Sequence, residues 1–108
     1  MYKKITPNEK VTREVNKDHS IDNYLTKKTT EKVSLAISKL NGKIESDKTL
    51  NERVYYFLKA YAEFEVEGEK VQVNTGDVLY IPNNTNYSIK GIFEAVTVNT
   101  PAFGVNKD

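Results

Sequence analysis

Residues 52–87 read ERVYYFLKAYAEFEVEGEKVQVNTGDVLYIPNNTNY. Val54 to Leu58 is an unbroken apolar and aromatic run, the pattern of a strand buried on both faces. The pattern then alternates, with Ala62, Phe64 and Val66 on one side and Glu63, Glu65 and Glu67 on the other. Three glutamates at period two put that face in water. Gly68 marks a hairpin turn into EKVQV, and NTGD turns the chain again before VLYIP. Pro82 ends that strand because it has no N–H to give to a ladder. The polar loop NNTN then closes on Tyr87.

Reading outward, YSI is a short strand, Lys90–Gly91 a turn, and IFEAVTVN the last strong strand, with the tail leaving the sheet at Pro101. Upstream, EKVSLAISKLNG (31–42) sets Val33, Leu35 and Ile37 against Ser34, Ala36 and Ser38, which predicts a half-buried strand. Its Leu, Ala and Lys content leaves a helix open, and Asn41–Gly42 predicts a turn after either element. Residues 1–30 are polar and fit short edge strands or one irregular helical turn, as an arm of the same domain. Residues 31–108 carry the main body. Short strands spaced by turn signals indicate an all-β sandwich or barrel. An immunoglobulin-like sandwich is the rival, but the chain has neither the cysteines nor the tryptophan of that pattern.

Composition removes several kinds of chemistry. A chain of 108 residues suits one domain. Sixteen Lys and Arg against 15 Asp and Glu give a net charge of +1, too little to attract nucleic acid or an anionic membrane. The absence of cysteine excludes disulfides, thiolate metal sites and Cys nucleophiles. His19 is the one histidine, so a His-rich metal centre is excluded as well. No stretch approaches a membrane span, and no apolar leader opens the sequence, so the expected location is the cytoplasm.

Over residues 31–103 the chain resembles a small single-domain cupin, which implies a double-stranded β-helix, or jelly-roll, barrel. Gly76 and Pro82 keep the spacing of the second cupin motif. Within it, Asn84 replaces a glycine, Tyr87 stands at the metal-binding histidine and Gly91 at the asparagine. For the first motif, Gly42 is the opening glycine, Arg53 takes the glutamate position and Ala60 the closing glycine. Counting from Gly42 puts the two histidine positions on Lys48 and Leu50; counting back from Arg53 puts them on Ser46 and Lys48 or on Asp47 and Thr49. Histidine occurs in none of these registers. The resemblance therefore implies a cupin with no metal and no other cofactor, since Lys and Arg repel a cation and a neutral tyrosine is a poor ligand.

If Arg53 faces inward, period two also turns Tyr55 and Phe57 inward and Tyr56 and Leu58 outward. The motif alignment brings Tyr87 to the same mouth, with Lys48 or Asp47 beside it. Such a site would bind a small polar or anionic molecule, sugar-like or a carboxylate. Arg53 would supply a forked contact and Tyr55 and Phe57 the walls. An enzymatic version is a metal-free sugar isomerase or epimerase, with Tyr87 as general acid or base and its pKa lowered by a neighbouring cation. A third reading is a structural or regulatory dimer domain with no ligand. The resemblance implies a homodimer, and an outward Tyr56 and Leu58 suit one. Plainer roles stand beside these: Tyr87 as a core filler, Arg53 in a surface ion pair, Lys48 in a solvated turn and His19 in a loop.

Overall fold

The computed structural model describes residues 2–106. Seven strands follow a short 3-10 turn at Pro7–Glu9: β1 (Val11–Asn16), β2 (His19–Leu25), β3 (Ser34–Lys48), β4 (Glu52–Val66), β5 (Glu69–Asn74), β6 (Val78–Ile81) and β7 (Asn86–Thr100). The strands are antiparallel in the order β1-β2-β3-β7-β4-β5, and β6 also lies on β4. Three strands of 15 residues, β3, β7 and β4, run side by side. The first half of β4 carries β6 on its free edge, and the second half carries β5.

This sheet is folded back on itself. Arg53 pairs with Asn99, and Tyr87 lies about 40 Å away along an extended β7. Yet Arg53 Nη1 donates a 2.7 Å hydrogen bond to the Tyr87 hydroxyl. The fold-over occurs where side chains are smallest. Gly91 pairs with Gly42 on one side and Ala62 on the other. Irregular register in β4 between Phe57 and Lys59, and in β3 between Ile44 and Asp47, adds to the curvature. The result is a β-barrel with one aromatic core, in which Tyr55, Phe57, Phe64 and Phe93 pack with centroid distances of 5.3–6.1 Å.

Several expectations are corrected. The run from Val54 to Leu58 is not buried on both faces: Tyr55 and Phe57 point inward while Tyr56 and Leu58 are exposed. Aromatic residues on both faces conceal the alternation. Neither Asn41–Gly42 nor Lys90–Gly91 is a turn; both lie inside long strands, where Gly42 makes room for the Asp18 side chain and Gly91 for the backbone of the next strand. Residues 34–48 form the expected strand, but its inward face is Ser34, Ala36, Ser38 and Leu40. Leu35 and Ile37 are half-buried on the outside, because the inside is a polar cavity at that level. His19 opens β2 and pairs with Leu40, so it is not a loop residue.

The first 30 residues supply β1 and β2, which extend the sheet beyond β3. Asp22 anchors them. Its carboxylate accepts a 2.7 Å hydrogen bond from Thr12 Oγ1 and lies 3.8 Å from Lys10 Nζ and 3.6 Å from Lys39 Nζ. The Thr12 hydroxyl and the two ammonium groups hold its pKa below the usual carboxylate value, against the opposing effect of burial. A depressed folded pKa stabilises the protein above the unfolded value, and that stability is lost as pH falls through the folded one. Asp22→Asn should therefore cost about 1 kcal/mol at pH 7. The difference from wild type should shrink in urea melts as pH falls below the ordinary carboxylate value, and vanish once Asp22 is protonated in the folded protein too.

Candidate functional site

The pairing registers stack the inward side chains in layers. The layer at one end of the barrel is Ser34–Asn99–Arg53–Ile81, followed by Asn23–Ala36–Thr97–Tyr55–Leu79 and then Ile21–Ser38–Ala95–Phe57. On the folded-over half, Asp47 pairs with Tyr87, which pairs with Val66. The curl sets this pair against the Arg53 layer. Between them is a cavity of about 690 Å³ that Arg53, Tyr55, Tyr87, Asp47, Asn99 and Thr97 help to line.

Arg53 is the pivot. It is 9% exposed; its Nε donates to Asn99 Oδ1 at 2.7 Å and its Nη1 to the Tyr87 hydroxyl at 2.7 Å. Burial disfavours its charge, but the phenol oxygens of Tyr55 and Tyr87 outweigh that, and its pKa is raised. The Tyr87 hydroxyl in turn donates to Asp47 Oδ2 at 3.5 Å, a long contact. A polar chain thus runs Asn99–Arg53–Tyr87–Asp47 across the barrel. Below it, the hydroxyls of Ser38 and Thr97 bond to each other at 2.9 Å.

The Tyr87 pKa is raised, not lowered as expected from a neighbouring cation. Burial dominates, Tyr55 and Asp47 add to it, and Arg53 only partly offsets them. Tyr87 is therefore a proton donor here and not a base at neutral pH. Tyr55 lines the cavity as anticipated, stacked 5.6 Å from the Phe57 ring. Phe57 does not line it: fully buried, its side chain lies beneath Tyr55 in the aromatic core. Nor does Lys48, which is exposed at the end of β3, where period two turns it away from Asp47.

Asn99, Thr97 and Ser38 were not among the sequence candidates. The signal that finds the first two is the alternation of Phe93, Ala95, Thr97 and Asn99 along β7, which carries an apolar face into two polar residues; Ser38, on β3, follows from the Ser34, Ala36, Ser38 face. His19 also reaches the cavity, and burial, with Arg13 nearby, lowers its pKa. It belongs to the layer of Leu40, Phe93 and Ala60, roughly 20 Å along β4 from Arg53, at the other end of the cavity. Among the described residues no group of three His, Cys, Asp or Glu side chains is placed to hold a metal ion. A guanidinium, a protonated phenol and one carboxylate, the groups that Arg53, Tyr87 and Asp47 bring together here, do not fit one.

No family model matches the sequence, and no curated protein matches it. Solved structures do. KdgF from Halomonas sp. is 15% identical with a TM-score of 0.80, over 96% of this chain and 97% of its own. The Streptomyces protein Pac13, described as a nucleoside dehydratase, is 18% identical with a TM-score of 0.83, over 96% of this chain and 86% of its own. A Thermotoga maritima protein described as a predicted oxalate decarboxylase is 19% identical with a TM-score of 0.76, over 92% and 99%. Folded-over strands, a polar-mouthed barrel and these likenesses define a small cupin-fold protein. At these identities the likeness fixes the fold, and the chemistry must come from this chain's own residues. No helix of the described residues is long and apolar enough to cross a membrane.

Proposed function

We propose that this protein binds a small polar or anionic molecule, sugar-like or a carboxylate, in the barrel and without a metal. The observation that carries this reading is the buried Arg53 at the cavity wall. Asn99 and Tyr87 fix its Nε and Nη1, and the Tyr55 phenol lies close enough to support its charge. A guanidinium held in this way presents a pre-oriented donor edge to an oxyanion. Asp47 and the Ser38–Thr97 pair suit hydroxyl groups, and Tyr55 supplies an apolar wall. The volume lies within the usual range for small-molecule sites. A thermal-shift screen against sugars, sugar acids and small carboxylates tests this. A ligand at 100 times its Kd stabilises by about 2.7 kcal/mol, a rise of about 10 °C or more in a domain of this size. A screen with no shift would favour the dimer-domain reading instead.

The Tyr87–Asp47 contact favours a second, catalytic reading. Asp47 takes a proton from carbon, and Tyr87 gives its phenol proton to the oxygen that gains charge. Arg53 steadies the phenolate left behind, and return of both protons completes an isomerisation or epimerisation. The description of Pac13, a structural neighbour, as a nucleoside dehydratase supports considering a catalytic role. Incubation of candidate sugars in deuterium oxide should show solvent deuterium at carbon. Tyr87→Phe should reduce the exchange by about 100-fold or more, the usual scale for losing a positioned acid. Exchange that persists in Tyr87→Phe would contradict this role.

The outer face supports a homodimer. Rows Leu35–Val98–Val54–Tyr80 and Ile37–Val96–Tyr56–Val78 form an apolar sheet surface, with Tyr56 46%, Val78 64% and Tyr80 53% exposed. So broad an apolar face is unusual on a monomer. Light scattering should give a mass near twice 12.3 kDa, and Tyr56→Glu with Val78→Glu should give the monomer. A monomeric wild type would remove this element. The cysteine-free composition supports a cytoplasmic location.

A further inference from the structure

Charge is distributed unevenly around the cavity. Its lining includes five cationic side chains, Arg13, Lys27, Lys28, Lys43 and Arg53, against the carboxylates of Glu45 and Asp47, in a chain whose net charge is only +1. The carboxylates lie on the second half of β3, beside Tyr87. Arg13, Lys27 and Lys28 come from β1 and the β2–β3 turn, and among the described residues none of the three is in an ion pair.

The C-terminal tail holds this cationic rim in place. Ala102 N donates to Glu31 O at 3.0 Å and Phe103 N to Ser34 Oγ at 2.9 Å, and these bonds fix the tail against the start of β3. The Phe103 ring then lies 5.7 Å from the Arg13 guanidinium carbon, and Gly104 O accepts from Lys27 Nζ at 3.4 Å. Ser34 belongs to the same layer as Asn99 and Arg53, so the rim adjoins the Arg53 end of the cavity. A wall of small polar side chains, Asn23, Ser34, Ser38 and Thr97, runs beside it.

We propose that Arg13, Lys27 and Lys28 form a second anion subsite, and that the ligand is a phosphorylated small molecule with a hydroxylated body. This deepens the binding role assigned to Arg53 and rests on it. Arg53 holds one polar end of the ligand, the polar wall takes its hydroxyls, and the rim takes the phosphate. Several cationic side chains can meet a tetrahedral dianion from different sides, whereas a planar carboxylate is better met by a single guanidinium fork such as that of Arg53. The carboxylates of Glu45 and Asp47, on the wall beside Tyr87, disfavour a phosphate there, so the ligand has one orientation.

Matched pairs test the subsite: ribose with ribose 5-phosphate, glucose with glucose 6-phosphate and uridine with UMP, plus inorganic phosphate alone. Binding is measured by calorimetry at low and moderate salt. For the pair that binds, the phosphorylated member should bind at least tenfold more tightly, with a gap that narrows as salt rises. The Arg13→Gln, Lys27→Gln, Lys28→Gln triple variant should lower the affinity of the phosphorylated member to that of its neutral partner. Equal affinity within every pair, or a preference that survives in the triple variant, would overturn the subsite while leaving the Arg53 site standing. Inorganic phosphate binding as tightly as the sugar phosphates would overturn the two-point ligand. If no compound binds at all, the Arg53 reading fails and the subsite falls with it.

Discussion

Gly91→Ala should lower the melting temperature by about 10–25 °C, the equivalent of roughly 3 kcal/mol or more in a domain of this size. A Cβ at Gly91 would stand 2.6 Å from Ala62 Cα, 2.6 Å from Tyr61 O and 2.8 Å from Ala62 Cβ. Two of these are backbone atoms of the neighbouring strand and cannot rotate away. The φ of +133° adds strain for any residue with a side chain. Gly68→Ala is the control. Its φ is +83° but no atom lies within 4 Å of the new Cβ, so only the backbone term of about 1 kcal/mol remains. Equal losses in the two variants would show that the sheet does not fold over at Gly91. Because the cavity exists only where the folded-over halves face each other, this residue underlies the site as well as the fold.

Arg53→Leu should weaken binding of any ligand found in the screen by at least about 100-fold, the scale for truncating a buried charge partner. Asn99 Oδ1 and the Tyr87 hydroxyl would lose their donor inside the barrel, at a cost to stability of about 1–3 kcal/mol. The two effects are separable, because chemical denaturation reads the second without ligand. Arg53→Lys keeps the charge and loses the fork, and should recover only part of the affinity. Full affinity in Arg53→Leu, with the protein folded, would place the ligand elsewhere.

The all-β architecture is legible in the sequence because alternation and turn residues agree over β4, β5 and β6. Gly68 and Gly76 do lie in turns, and Pro82 follows the last residue of β6. Gly42 and Gly91 misled for a physical reason: a glycine that admits a close neighbour looks the same in sequence as one that reverses the chain. The polar inner face of β3 was hidden likewise, since period two identifies two faces without saying which is inside. Arg53, Tyr55, Tyr87 and Asp47 were legible as lining residues because strand parity and motif spacing fix direction. Phe57 and Lys48 were not, because depth within a barrel and the end of a strand are set by packing. Edge strands in the first 30 residues were legible as one option, but the contribution of β1, β2 and the tail to the cavity was out of reach, since their contacts join residues as far apart as Lys27 and Gly104.

The central claim is that Arg53, held between Asn99 and Tyr87, receives a ligand inside the barrel. Its Nε–H gives a separate signal in nitrogen-15 NMR, which allows a direct titration with a panel of sugar acids and sugar phosphates. The expected result is a saturable shift of the Arg53 Nε–H together with the side-chain amide of Asn99. Unchanged Arg53 and Asn99 signals at millimolar concentrations of every compound, or shifts confined to the outer face around Tyr56 and Val78, would contradict it.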